Sequence, residues 1–336
     1  MESTDIFSHC FRNLPEKDIA LLKKYFDGYD YQGATYTFLA NYIWRRDYDL
    51  SWEVIGDYLC MASMDTTTGR PTAIIAMPMT EDGNYDLVRL RETVIEAKRR
   101  FDVNDIPFSI RFIPGHMVHL LDRAFPNQME FRHDRDDDEY VYDKKKLITL
   151  SGRALHKKKN HMNFFLKNFS YEAKPITADM LPDIIRLDEI VRKEHERSEE
   201  ETKSLGEEHH AIAEMMDYLD DPDVYTMAIF IDGKMQAYAI GERMSADTVA
   251  EHFEKANIEY RGLYQVICSE FCKSLPEDIL FVNREEDMGL PNLRRAKKAL
   301  RPHHMAEKFS GWFIADRENG LIPGVDEDFS PGGIGN

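Results

Sequence analysis

Hydrophobic and polar positions follow the same rhythm twice along this chain. In the first half, residues 53–64 and 72–79 alternate as strands, with turn residues at 66–71 between them. Residues 87–101 then place Leu90, Val94, Ala97 and Phe101 at helical spacing. A strand at 108–113, a short helix at 116–125 and a strand or hairpin at 129–142 complete the set. In the second half, strands at 225–231 and 234–244 flank Asp232-Gly233, a strong two-residue hairpin turn. A third strand at 248–255, a helix at 262–275 and a strand at 279–284 follow. A second helix at 292–301 and a last strand at 305–313 end the pattern. Antiparallel strands, helix, strand, helix, strand is the order in each half, although the two halves are not visibly similar in sequence.

Further helices frame the two copies. Those at 16–26 and 35–46 precede the first. A connecting helix at 155–169 has Leu155, Met162, Leu166 and Phe169 on one face and lysines elsewhere. Helices at 181–195 and 208–219 open the second. The pattern predicts an α/β (α+β) protein of two tandem domains, each a mixed, mostly antiparallel sheet flanked by helices. The expected boundaries are 1–150, a connecting helix at 151–170, a second domain at 171–316 and a flexible, glycine-, proline- and acid-rich tail at 317–336.

Composition agrees with two domains. The chain has 336 residues, 43% hydrophobic and 31% charged, the balance of an ordinary globular protein. No apolar run approaches the roughly 20 residues that span a bilayer, and the first residues lack the basic start and apolar core of a signal peptide. A reduced, cytoplasmic setting is therefore expected. Cys268 and Cys272 lie one helical turn apart, a spacing open to metal or redox chemistry. Their neighbours Val266, Ile267 and Phe271 favour thiols that fill a buried helix face. The net charge of −18 disfavours indiscriminate binding to nucleic acid or anionic membrane. Charge is uneven, however. Acid gathers at 134–139, 194–208 and 217–223, read as solvated loops and helix ends; base gathers at 144–167 and 294–308.

Ionisable residues crowd one strand–helix junction. Alternation along 249–255 puts His252 and Glu254 on one face, with Glu251, Phe253 and Lys255 on the other. Gly262 opens the next helix, followed by Tyr264 and Gln265. Asn283-Arg284-Glu285-Glu286-Asp287 sits where an apolar strand emerges, a usual place for ligands in such folds. Each feature also has a structural reading. On that reading the strand carries a plain solvated face, Tyr264 packs beneath the sheet, Arg284 pairs with Glu286, and Asp287 caps a turn before Gly289. His209-His210 and His303-His304 lack an ordered set of further ligands, so no metal site is expected.

This order of elements resembles the acyl-CoA N-acyltransferase fold of the GCN5-related N-acetyltransferases, here as a tandem pair like the peptidoglycan peptide-bridge aminoacyltransferases. More specifically, the chain resembles soluble proteins grouped with the C-terminal domain of phosphatidylglycerol lysyltransferases. Residues 251–256, 260–265, 283–289, 293–297 and Glu307-Lys308 carry the likeness, with 150–161 and 38–45 extending it over nearly the whole chain. The resemblance implies an acyltransferase, with aminoacyl-tRNA as donor in characterised relatives and no bound cofactor. The acceptor, a small molecule or lipid headgroup bearing an amine or hydroxyl, is left open. In the acetyltransferases a Gln/Arg-x-x-Gly-x-Gly/Ala loop holds the pyrophosphate of coenzyme A. Aligned on Gly262, this chain has Glu259 and Tyr264 at the outer positions, which makes acetyl-CoA the weaker donor.

Roles follow on that footing. Glu254 or His252 is expected to take the acceptor's proton, and Tyr264 to contact the acyl carbonyl. The helix N-terminus at Gly262 is expected to stabilise the oxyanion. Lys255, Gln265, Asn283, Arg284, Glu285 and Asp287 are expected to line the substrate site, Arg284 gripping a phosphate or carboxylate. Arg153, Lys157, Lys158, Arg294 and Lys298 are candidates for an RNA acceptor stem. Few aromatic residues interleave with them in sequence, so no base-stacking platform is expected. A non-catalytic ligand-binding protein is the alternative from another class.

Overall fold

Two sheets, each built around one parallel strand pair, organise the computed structural model, which describes residue 11 and residues 19–65, 71–193 and 208–319. The first sheet runs β1 (Ser51–Ile55), β2 (Tyr58–Asp65), β3 (Thr72–Ile75), β4 (Phe108–Pro114), β13 (Lys308–Phe313), β5 (Met129–His133). The second runs β12 (His304–Ala306), β6 (Glu139–Asp143), β11 (Phe281–Asn283), β10 (Thr248–Ala256), β9 (Lys234–Arg243), β8 (Val224–Ile231), β7 (Glu172–Lys174). Pairs β3·β4 and β10·β11 are parallel. The turn at 66–70, most of the acidic run 194–208, the start of the helix at 16–26 and the tail from 320 onward lie outside the described residues.

Local chemistry explains the main elements. Helix Leu87–Asp102 starts where the Asp86 side chain accepts hydrogen bonds from the N–H groups of Val88 and Arg89. It buries Leu90, Val94, Ala97 and Phe101, the residues its periodicity selects. This helix carries the chain from β3 to β4, and helix Leu263–Ser274 does the same from β10 to β11. A crossover is needed because parallel neighbours cannot be joined by a tight turn. At the β8–β9 hairpin, Asp232 and Gly233 both have positive φ, as a two-residue turn requires. The repeated strand–helix order is thus present in space as well as in sequence.

The two halves are nevertheless interlaced. The 129–142 segment is two strands that part: β5 stays in the first sheet and β6 enters the second, beside β11. The 305–313 segment divides likewise at Glu307, with β12 in the second sheet and β13 between β4 and β5 in the first. A boundary at residue 150 therefore does not separate the sheets, because alternation marks a strand without saying which sheet receives it. The crossing at 134–139 also corrects the reading of that acidic run as solvated. Asp138 and Glu139 are buried, and Asp138 accepts the Lys308 N–H. Glu139 accepts hydrogen bonds from the Ala34 N–H at 2.9 Å and the Asn283 amide at 2.5 Å, tying an N-terminal segment to the second sheet.

Apolar side chains fill both faces of the second sheet. Helices Lys144–Thr149, His156–Asn168 and Leu263–Ser274 cover one face, over Met227, Ile229, Val249 and Val282. Helix Leu181–Lys193 covers the other, where Ile240 and Phe253 are buried. Cys268 and Cys272 are buried in the first of these layers, beside Val266, Ile267 and Phe271. No helix among the described residues is long and apolar enough to cross a membrane.

Candidate active site at the split between β10 and β11

β10 and β11 pair only through Thr248–Ala250 and Phe281–Asn283; from Glu251 onward β10 continues without β11 beside it. At this split the register of β10 on β9 shifts between Glu251 and Phe253, a β-bulge. One extra residue resets which side chains share a face. Glu251 and Glu254 therefore point together toward helix Leu263–Ser274, while His252, Phe253 and Lys255 point to the opposite side. The pairing of His252 with Glu254 read from strict alternation is overturned by this bulge.

Arg284, the residue after β11, folds back into the split. Its guanidinium Nε contacts Glu251, and its Nη2 lies 2.6 Å from Glu254 Oε1. Arg284 thus pairs with two β10 carboxylates and not with Glu286. One cation facing two carboxylates leaves a surplus of negative charge. Glu251 Oε1 and Glu254 Oε2 are buried with no donor to pair with except a proton shared between the two carboxyls. Burial pushes Glu251 up to about 8, and the nearby Glu254 charge adds to that, against the pull of Arg284.

Across the sheet, the His252 imidazole is held between Glu285 Oε1 at 2.7 Å and Glu242 Oε1 at 3.0 Å. Burial alone would lower its pKa, but the two carboxylates win and raise it to about 10. His252 is therefore an imidazolium with both nitrogens engaged, and offers no lone pair for general-base work. Glu242 also accepts the N–H of Ala40 at 3.0 Å, at the start of helix Phe38–Trp44. Lys255 pairs with Glu208 at 2.9 Å.

Gly262 has a role other than the one expected. Its φ is +97°, and a Cβ there would lie 2.1 Å from the His161 carbonyl oxygen. Helix His156–Asn168 therefore packs directly on the junction. The N–H groups of Leu263, Gln265 and Val266 already donate to the carbonyls of Tyr260 and Gly262. The glycine seats a helix, and three of the N–H groups expected to stabilise an oxyanion are already engaged. Tyr264 and Gln265 are half-buried on the first turn, Tyr264 packing against the apolar layer.

The loop after β11 is fixed mainly by Asp287. Its buried carboxylate accepts hydrogen bonds from Tyr140 at 2.5 Å, from Arg294 at 2.6 and 2.8 Å and from the Gly289 N–H at 3.0 Å. Burial works against ionisation, but these bonds from Arg294, Tyr140 and Gly289 hold the carboxyl well below its usual range. Asp287 and Arg294 therefore anchor the loop, and neither is free for substrate or RNA. Asn283 is likewise structural, its side-chain Oδ1 accepting the Glu285 N–H. Glu285 keeps 29% of its side chain exposed. Arg153, Lys157 and Lys298 are exposed, and Lys158 is half-exposed.

Sequence reasoning missed three participants. Strict alternation puts Glu251 on the face opposite Glu254, and nothing in the sequence marks the bulge that brings them together. Glu242 lies on the neighbouring strand, visible only once β9 and β10 are paired. Lys297 reaches back to donate to the Arg284 carbonyl at 2.5 Å, and its pKa is lowered mainly by burial. A lysine one residue from the exposed Lys298 gives no sign of facing inward.

Comparison with known proteins agrees with this architecture. Residues 26–310 match the family model described as phosphatidylglycerol lysyltransferase, C-terminal, so the chain belongs to that family. It is similar to a conserved protein of unknown function from Bacteroides thetaiotaomicron, with 25% identity, a TM-score of 0.79, and 90% of this chain and 99% of that one covered. The L-PGS structure from Bacillus licheniformis shares the fold at 11% identity and a TM-score of 0.59, covering 90% of this chain and 93% of that one. An uncharacterised protein of Mycoplasmoides gallisepticum is 25% identical over 174 residues, 51% of this chain. The match spans about half the length of that curated relative, 54%.

Proposed function

We propose that this chain is an acyltransferase that moves an aminoacyl group from aminoacyl-tRNA to an amine or hydroxyl, with the split between β10 and β11 as its transfer site. The observation that carries the reading is the buried carboxylate pair Glu251 and Glu254, facing one guanidinium and close enough to share a proton. Family membership supports a transferase of this kind. The acceptor's nitrogen or oxygen attacks the ester carbon, and Glu254 takes the proton released. Glu251, pushed up to about 8, retains a proton near neutrality and gives it to the departing ribose oxygen. Transfer of the proton from Glu254 to Glu251 restores the pair. Arg284 fills the split, so donor entry requires its side chain to turn out of it.

Acetyl-CoA is the weaker donor on two counts. Glu259 would repel its pyrophosphate, and the His161 carbonyl occupies the space beside Gly262. A non-catalytic ligand-binding protein is favoured by one observation, the internal pairing of Arg284. Incubation with charged tRNA pools and cell extract separates these readings. Labelled amino acid should appear on an acceptor, and Glu254→Gln should lower that transfer by about 100-fold. No transfer from any pool overturns the proposal, and calorimetric binding of acetyl-CoA would redirect it.

A further inference from the structure

Helix His156–Asn168 carries an aromatic ring in an unusual position. Phe164 is 40% exposed, and the Arg261 guanidinium lies over its face, 5.0 Å from the ring centroid. Helical spacing puts Lys157, His161 and Phe164 on one stripe. His161 lies close to both Arg261 and Lys158; burial and these two cations lower its pKa. A ring, an arginine plane and lysines thus gather on one face of a chain whose net charge is −18. That face adjoins the start of helix Leu263–Ser274, since Arg261 precedes Gly262 and Gly262 packs on the His161 carbonyl. The ring lies inside the basic run at 144–167, but the arginine over its face, Arg261, comes from a distant segment. Linear reading therefore does not bring the ring and the arginine together, whereas the fold does.

We propose that Phe164 and Arg261 form a stacking platform for the unpaired 3′ end of an RNA, with Arg153, Lys157 and Lys158 neutralising its phosphates. The proposal rests on the aminoacyl-tRNA reading above and names where that donor's single-stranded end lies. Bases stack on aromatic rings and guanidinium planes with little regard to sequence. Cations along the same face add affinity that falls with salt. Glu259, exposed on the Arg261 loop, opposes phosphate there, which assigns the phosphates to the helix cations. An anionic membrane would match the charge but not the shape. The other exposed apolar residue of the helix, Leu166, lies two positions on, roughly 200° around the axis. No continuous apolar stripe is therefore available for insertion.

The test is fluorescence anisotropy on the full chain, using an RNA hairpin with a short unpaired 3′ end and the same hairpin made blunt. The overhang should tighten binding about tenfold. Phe164→Ala should abolish that preference, Phe164→Trp should keep it, and Lys157→Ala should weaken both hairpins equally and lower the salt slope. Equal binding of the two hairpins overturns the platform, as does an overhang preference that survives Phe164→Ala. Binding to anionic vesicles in place of RNA overturns it as well. Transfer assays separate this proposal from the one it rests on. Unchanged KM for charged tRNA in Phe164→Ala removes the platform and leaves the transferase. Platform-dependent RNA binding without transfer from any pool does the reverse.

Discussion

The Lys308 ammonium and the Glu139 carboxylate lie 2.9 Å apart, each side chain only 1% exposed. Both residues belong to interlaced strands, Lys308 to β13 in the first sheet and Glu139 to β6 in the second. The pair therefore sits where the halves pass through one another. Lys308 also donates to Thr35 at 3.3 Å, and the Ala34 N–H donates to Glu139, so the N-terminal segment is bound into the same knot.

Removing one member of a buried pair strands the other charge, at a cost of about 3–5 kcal/mol. Lys308→Met should lower the unfolding free energy by that amount in urea titrations. The double variant Lys308→Met, Glu139→Gln should lose distinctly less than the sum of the two single variants. Additive losses would show that the two charges do not interact.

His252 gives the fold a pH dependence on the alkaline side. Its pKa is raised to about 10 in the folded chain, above the roughly 6.5 of an unfolded histidine. The folded state then binds the extra proton, so its stabilising contribution is complete below about pH 6.5 and is lost as pH rises toward 10. Unfolding free energy should decline across that window, and His252→Gln should flatten the decline. Resonances of the His252 ring should show no titration between pH 6 and 8.

Catalysis should depend on the two split-site carboxylates in different ways. With Glu251 near 8, transfer should slow at higher pH as this acid loses its proton. Glu251→Gln should lower the rate and remove that alkaline limb. Glu254→Gln should lower the rate at every pH while leaving the limb in place. Identical profiles for both variants would contradict the division of roles.

Gly262→Ala tests whether the glycine serves packing. The left-handed backbone alone costs about 1–2 kcal/mol with a Cβ present, and the 2.1 Å approach to the His161 carbonyl adds to it. Thermal unfolding should occur markedly lower, with donor KM unchanged in the protein that remains folded. A selective rise in KM at unaltered stability would return Gly262 to a ligand-binding role.

Much of the architecture was legible because burial imposes period. Helix Leu87–Asp102 buries the four residues its spacing selects, and Asp232-Gly233 makes the hairpin that its backbone preferences favour. The strand–helix–strand core of each half also lay where periodicity put it. What alternation could not carry was anything set by neighbours distant in the chain. β6 and β13 look like ordinary strands until their partners are known. The bulge on β10 is a mismatch with β9, a property of two segments, and it moves Glu251 beside Glu254. Asp287 and Arg294 look like ligand-binding residues in sequence because a buried ion pair and a binding site use the same side chains. Phe164 gained its meaning only when Arg261 was brought over it.

The interlacing of β6 and β13 has a consequence for how the chain can be divided. A cut in the linker near residue 151 would leave each fragment lacking an interior strand of its own sheet. Neither piece would then form a closed ladder, and each would present unpaired edges prone to aggregation. Mixed together, the pieces carry every strand required and should reassemble as a noncovalent whole. Native topology also demands that contacts more than a hundred residues apart form before either sheet is complete, which favours slow, all-or-none folding over stepwise maturation of separate modules.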